Sequence, residues 1–157
     1  MMKILMVCLG NICRSPLAEG ILKDKFKKRK ITAEVDSSGT SNFHLGERPD
    51  PRTIEVAEKH NINIRSHRGN HFTVADFDKY DKIYTMDLSN FRNVLKLARS
   101  EKDRSKVEMI LNVSNPGMNM EVPDPYYSVN DGFELVYRML DQACEIIANS
   151  VETKYSS

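Results

Sequence analysis

A short apolar run, Ile4-Leu5-Met6-Val7, ends in Cys8 and leads through Leu9-Gly10-Asn11-Ile12-Cys13 into Arg14-Ser15-Pro16. Residues 3–8 read as a buried strand, because the run is too short for a core helix and turn residues close it at once. Gly10 and Asn11 predict a tight turn, and Ser15-Pro16 marks a helix start. A cysteine at a strand end, a tight loop and a helix N-terminus together describe an anion cradle with a sulfur nucleophile at its centre. Backbone N–H groups and the helix dipole both favour negative charge there. The same field favours a thiolate over a thiol.

The 157 residues suffice for one globular domain with a real core. A formal net charge of +1 supplies no global field for nucleic acid or an anionic membrane. The one basic cluster, residues 23–30, is either a solvated helix end complementing the dipole or a docking patch for acidic partners. No apolar stretch approaches the ~18 residues of a membrane span. The N-terminus lacks a signal-peptide cleavage pattern, and Met2 stands where myristoylation needs glycine. Three cysteines, an odd count, argue against a secreted disulfide framework. The expectation is a cytoplasmic monomer with reduced thiols, no cofactor and no metal.

Strands alternate with helices along the chain. A helix near 16–29 follows the first strand, with Leu17, Ile21, Leu22 and Phe26 at helical spacing. Residues 33–37 predict a second strand, 51–60 a helix and 73–79 a short helical turn. Residues 82–86 predict a third strand, after which Asp87 or Ser89 caps a helix to about 99. Residues 106–111 predict a fourth strand, 112–131 a long loop and 132–152 a final helix, with Phe133, Leu135, Val136, Leu140, Ala143, Ile146 and Ile147 as its apolar positions. This order implies an α/β fold: a small parallel sheet covered by helices on both faces, with ligands bound beyond the carboxyl ends of its strands. Cys8, Ser37, Asp87 and the 112–131 loop then surround one crevice.

Those residues permit phosphoryl transfer. Arg14 offers a planar fork that matches two phosphate oxygens. Backbone N–H groups of Leu9, Gly10, Asn11, Ile12, Cys13, Arg14 and Ser15 ring the remaining ones, and the Ser15 hydroxyl can bond the sulfur. Attack by Cys8 gives a cysteinyl-phosphate that water hydrolyses. The leaving oxygen needs a proton donor, and Asp124, held between Pro123 and Pro125, is the best candidate. Tyr126 and Tyr127 beside it can wall a slot for a flat aromatic group.

Plainer readings exist for each residue. Cys8 can be a buried structural thiol. Cys8 and Cys13 as zinc ligands lack a second Cys/His pair at metal-site spacing. Asp124 can be an ordinary turn residue. His67 is either a hydrogen-bonded loop histidine or a support for the cysteine loop, and Cys144 belongs to the core.

Five segments, VCLGNICRSP, VDSSGTSNFHLGERPDPRT, RSHR, YTMDLSN and VPDPYY, occur in an order that closely resembles the low-molecular-weight protein tyrosine phosphatases. The resemblance covers nearly the whole chain, as one phosphatase domain over 1–157. It implies a four-stranded parallel sheet with a phosphate-binding loop after the first strand. It also implies Cys8 as nucleophile, Arg14 as transition-state clamp and Asp124 as general acid. Asn11, Ser15, Ser37 and His67 then form the network that holds the loop, with Asp87 behind it, and Phe43 and Tyr126 line the slot. Cys13 is implied as the redox partner of Cys8. Phe43 replaces the tryptophan of many members, and Arg68-Gly69-Asn70-His71 departs from the usual Ala-Arg run.

The expected substrates are phosphotyrosine-containing proteins or small aryl phosphates. Two other readings are a thiol-linked arsenate reductase and a non-catalytic phosphotyrosine-binding or redox-sensing module.

Overall fold

In the computed structural model, which describes residues 1–125 and 132–155, four parallel strands form one sheet in the order β2-β1-β3-β4. They are β1 (Met2–Cys8), β2 (Ala33–Gly39), β3 (Lys82–Thr85) and β4 (Val107–Met109). The apolar run fills β1 because both faces of this inner strand are covered. Ile4, Met6 and Cys8 pack on one side with Leu17, Ile21 and Leu140. Leu5 and Val7 pack on the other with Phe72, Phe77 and Ile83.

The first face carries α1 (Arg14–Lys28), α2 (Pro51–Lys59) and α7 (Gly132–Tyr155). The second lies under α3 (Asp76–Lys79) and α4 (Leu88–Lys96), which supply Phe77 and Val94. The chain leaves β1 for β2 on one side and later returns to β3 on the other. The carboxyl end of β1, where Cys8 sits, is therefore the point where strand order reverses and ligands bind in such sheets.

Several boundaries differ from the sequence expectation. Helix α1 begins at Arg14, directly after the loop, rather than near 16. Strand β4 stops at Met109 because Ile110 turns helical (φ −58°, ψ −37°) and leads into α6 (Leu111–Ser114), inside the expected long loop. Helix α4 ends at Lys96, and a separate α5 (Glu101–Ser105) follows. Ser100 caps it by accepting the Asp103 N–H at 3.2 Å, and Asp103 accepts the Arg99 N–H at 2.9 Å. Leu135 and Ile146 of α7 face solvent rather than the core.

Much of the basic cluster is ion-paired within the chain. Lys25 bonds Asp141 and Glu145, Arg29 bonds Glu152 and Asn149, Lys28 pairs with Asp24, and Lys23 with Glu19. These cations fasten α1 to α7 or to their own helix. None of the helices of the described residues is long and apolar enough to cross a membrane.

Candidate active site

Cys8 closes β1 with its side chain buried, and residues 9–13 wrap around its sulfur. Ser15 Oγ lies 2.9 Å from Sγ, and the Asn11 backbone N–H points at it from 3.3 Å. The loop closes so tightly because Asn11 adopts a left-handed φ of 58°, which asparagine tolerates better than most residues. Its buried amide is bonded on every side. Nδ2 reaches Ser15 Oγ at 2.7 Å and Ser37 Oγ at 3.0 Å. Oδ1 accepts the Asn70 backbone N–H at 2.8 Å and faces His67 Nε2 at 3.0 Å.

One unambiguous donor sets the directions in this network. The Asn70 amide can only donate, so the atom it meets is the carbonyl oxygen of Asn11. The His67 nitrogen facing that oxygen must then carry a proton. Asn11 Nδ2 is the donor to both serines, which leaves the Ser15 hydroxyl proton for Cys8. The other acceptor within reach, the Ser38 carbonyl, is 3.4 Å away. Sγ thus accepts the Asn11 amide, and as a thiolate it would accept the Ser15 hydroxyl as well.

The far end of the network is Glu19, which the sequence reading passed over. Ser37 Oγ donates to Glu19 Oε1 at 2.6 Å, and His67 Nδ1 lies 3.4 Å from the same oxygen. Burial pushes the Glu19 carboxyl up, but the contacts from His67, Lys23 and Ser37 outweigh it and hold the group below the usual carboxylate range. The available signal was a carboxylate set inside the apolar stripe Leu17-Ala18-Ile21-Leu22. Asn70 was missed because it acts through its backbone.

Arg14 opens α1 beneath the loop and is buried. Its Nη1 donates to Asp87 Oδ2 at 2.8 Å and to the Val122 carbonyl at 2.9 Å. Both Nη1 protons are thereby spent, which leaves Nε and Nη2 as a two-pronged edge. Asp87 divides its carboxylate, since Oδ1 caps α4 by accepting the Asn90 N–H at 2.8 Å. Burial alone favours a neutral Arg14, but Cys8, Asp87 and Asp124 outweigh it and push its pKa above the ordinary value.

Cys8, Ile12, Arg14, Phe43, His44 and Asp124 line a pocket of about 250 Å³. Asp124 Oδ2 lies 3.8 Å from Arg14 Nη2 with its side chain 35% exposed. The wall with Phe43 and His44 is stapled to the loop: Thr40 N–H donates to the Cys8 carbonyl and Ser41 N–H to that of Leu9, both at 2.9 Å. Gly39 permits this approach, because a Cβ there would stand 2.6 Å from the Leu9 carbonyl oxygen. Phe43 is 85% exposed, so it forms a rim rather than a buried slot. Tyr126 and Tyr127 lie outside the described residues. Burial pushes the Cys13 thiol up to about 12. Cys144 is sealed in α7, its thiol facing the Ala18 carbonyl at 3.7 Å.

Residues 3–157 match the family model described as low molecular weight phosphotyrosine protein phosphatase. The chain belongs to that family. Its relatives include the low molecular weight phosphotyrosine protein phosphatase of Schizosaccharomyces pombe, 40% identical over 141 residues that cover 88% of this chain and 89% of the relative. The Sus scrofa protein of the same name is 34% identical over 151 residues, 94% of each chain. Among solved structures, a protein tyrosine phosphatase from Entamoeba histolytica with Hepes in its active site superposes with a TM-score of 0.91 at 33% identity. It covers 98% of this chain and 99% of that one. Low molecular weight phosphotyrosine protein phosphatases are hydrolases, and this chain is an enzyme of that class. Among the described residues, no group of three or more His, Cys, Asp or Glu side chains could hold a metal ion.

Proposed function

We propose that the chain hydrolyses phosphotyrosine and other aryl phosphomonoesters through a phosphorylated Cys8. One observation carries this reading: Cys8 Sγ sits against the Ser15 hydroxyl and the Asn11 amide inside a loop whose far end presents Arg14 Nε and Nη2, the latter 3.8 Å from Asp124. In the first step Arg14 Nε and Nη2 and the loop amides hold the phosphate oxygens, neutralising the dianion. The Sγ–P bond forms as the P–O bond to the aryl group breaks, and Asp124 in its acid form gives its proton to the departing oxygen. In the second step Asp124 takes a proton from water, which attacks phosphorus and breaks the Sγ–P bond. The Ser15 hydroxyl stabilises the departing thiolate, and inorganic phosphate leaves.

Binding and orientation come from Leu9 to Ser15, while Asn11, Ser37, His67 and Asp87 hold that loop in shape. Phe43, with Tyr126 and Tyr127, flanks the aromatic ring. Cys13 serves as a reversible redox partner of Cys8, and the enzyme acts as a cytoplasmic monomer. The arsenate reductase alternative is disfavoured by Cys144, which is too deeply enclosed to resolve a cysteinyl adduct.

The test is turnover of p-nitrophenyl phosphate by wild type and by Cys8→Ser, with phosphate binding followed calorimetrically. Turnover in the wild type, lost in the variant while phosphate still binds, is the expected result. No turnover by the wild type would favour a binding module, and thiol-dependent arsenite release would favour the reductase.

A further inference from the structure

Next to the pocket lies a groove of about 840 Å³, floored by Pro49, Pro51 and Ile54. A single wall separates the two, since His44 lines the pocket, Glu47 lines the groove, and His44 Nδ1 sits 2.9 Å from Glu47 Oε2. Backbone bonds hold that wall firmly. Gly46 N–H donates to the Gly69 carbonyl and Gly69 N–H to that of Glu47, both at 2.8 Å. A Cβ on Gly69 would meet the His44 carbonyl oxygen at 2.1 Å, so the two loops are in close backbone contact. The pocket and the groove therefore share the His44–Glu47 wall.

The groove's charges are mostly claimed. Glu58 pairs with Arg65 at 2.6 Å, Glu55 with Lys59 at 3.6 Å, and Glu47 with His44. Neighbouring Asp50, which caps α2, is taken by Arg52. Among the described residues, Arg48 is the groove's one charged side chain without an ion-pair partner. It is exposed, between the His44–Glu47 wall and the proline floor. A cation beside an apolar floor, one step from the phosphate pocket, complements a peptide with a carboxylate near its phosphotyrosine and an apolar residue beyond.

We propose that Arg48 and this groove select phosphotyrosine polypeptides that carry acidic residues a few positions from the phosphotyrosine. The proposal rests on the phosphatase reading above. Arg48 is a specificity-determining residue in this scheme, with no part in the bond-breaking steps. Its contribution is that of an exposed charge pair, modest and weakened by salt. Charge reversal removes an attraction and adds a repulsion, so its effect is the larger one.

The experiment compares kcat/KM for wild type, Arg48→Gln and Arg48→Glu on p-nitrophenyl phosphate and on phosphotyrosine peptides. The peptides carry Asp and Glu on one side, on the other, or Gln in their place. Wild type should prefer one acidic peptide severalfold over its Gln counterpart. Arg48→Glu should lose about tenfold on that peptide and Arg48→Gln about threefold, both effects shrinking in high salt. Rates on p-nitrophenyl phosphate, which cannot reach the groove, should stay within twofold. Equal wild-type rates on acidic and Gln peptides, or a parallel fall on p-nitrophenyl phosphate, would overturn the proposal. Peptide rates per enzyme that drop as enzyme concentration rises would place a second copy of the chain in the groove and also overturn it. A wild type inert toward p-nitrophenyl phosphate would defeat the underlying phosphatase reading instead.

Discussion

His67 Nε2 and Asn11 Oδ1 meet at 3.0 Å across a separation of 56 residues, and this contact ties the histidine loop to the cysteine loop. Because the Asn70 amide fixes the same oxygen as an acceptor, the bond has one direction, and Asn11 Nδ2 is then the donor to Ser15 and Ser37. The shape of the cysteine loop therefore depends on one asparagine.

Replacing that asparagine separates backbone from side-chain effects. Asn11→Ala leaves several buried groups unpaired, at roughly 1–3 kcal/mol each before relaxation, and puts an alanine at positive φ. The expected loss in urea denaturation is about 3 kcal/mol or more. Asn11→Gly relieves the backbone part and recovers about 1 kcal/mol, without restoring turnover. An Asn11→Ala protein as stable as wild type would show that the network does not hold the loop.

Asp124→Asn keeps the shape of the side chain and removes its proton transfer. The kcat/KM for phenyl phosphate should fall about 10²–10³-fold. The loss in kcat/KM on p-nitrophenyl phosphate should be much smaller, because nitrophenolate departs without a proton and kcat/KM ends at phosphorylation of Cys8, before the hydrolysis in which Asp124 is the base. Equal losses on the two esters would assign Asp124 to binding rather than acid catalysis.

The three cysteines should differ sharply in reactivity. Burial raises the thiols of Cys13, to about 12, and of Cys144, so iodoacetate at neutral pH should label Cys8 alone, as read by peptide mapping. Comparable labelling of either other cysteine in the folded protein would contradict this. In the redox role proposed for Cys13, peroxide converts Cys8 to a sulfenic acid and the Cys13 thiol forms a disulfide with it, with loss of water. Dithiothreitol should then restore most wild-type activity but much less in Cys13→Ser, and equal recovery would remove the redox role.

Glu19 gives a pH signature. Its folded pKa is depressed, so its stabilising contribution is fully present above the unfolded value near 4.3 and disappears as pH falls through the lower folded value. Thermal melts of Glu19→Gln should lie below wild type at neutral pH and converge with it progressively as pH falls below the unfolded value of about 4.3. Curves that stay parallel to acid pH would mean Glu19 carries no shifted titration.

The loop was legible in the sequence because its chemistry is contiguous: strand, sulfur, turn, arginine and helix follow one another within residues 3–16. Strand order alone placed Ser37 and Asp87 at the crevice and left His67 with two readings, whereas their bonding to the loop was suggested only by resemblance, since those bonds are long-range. Glu19 and Asn70 were not legible, because one looks like a helix-surface glutamate and the other acts through its amide. The Val122 carbonyl that anchors Arg14 carries no side-chain signal at all. Helices α5 and α6 are a turn or so long, too short for apolar periodicity, although Ser100 and Asp103 have the spacing of a cap. Leu135 and Ile146 share the composition of their buried neighbours on α7, and only the tertiary contacts separate the two faces.

The most direct test of the account is rapid acid quench of the enzyme during turnover, followed by mass mapping of the peptide that holds Cys8. A phosphoryl group on the Cys8 sulfur is expected, accumulating when hydrolysis is slowed by Asp124→Asn and the leaving group is a good one. Turnover with no phosphorylated peptide under those conditions, or with the phosphoryl group on another residue, would contradict it.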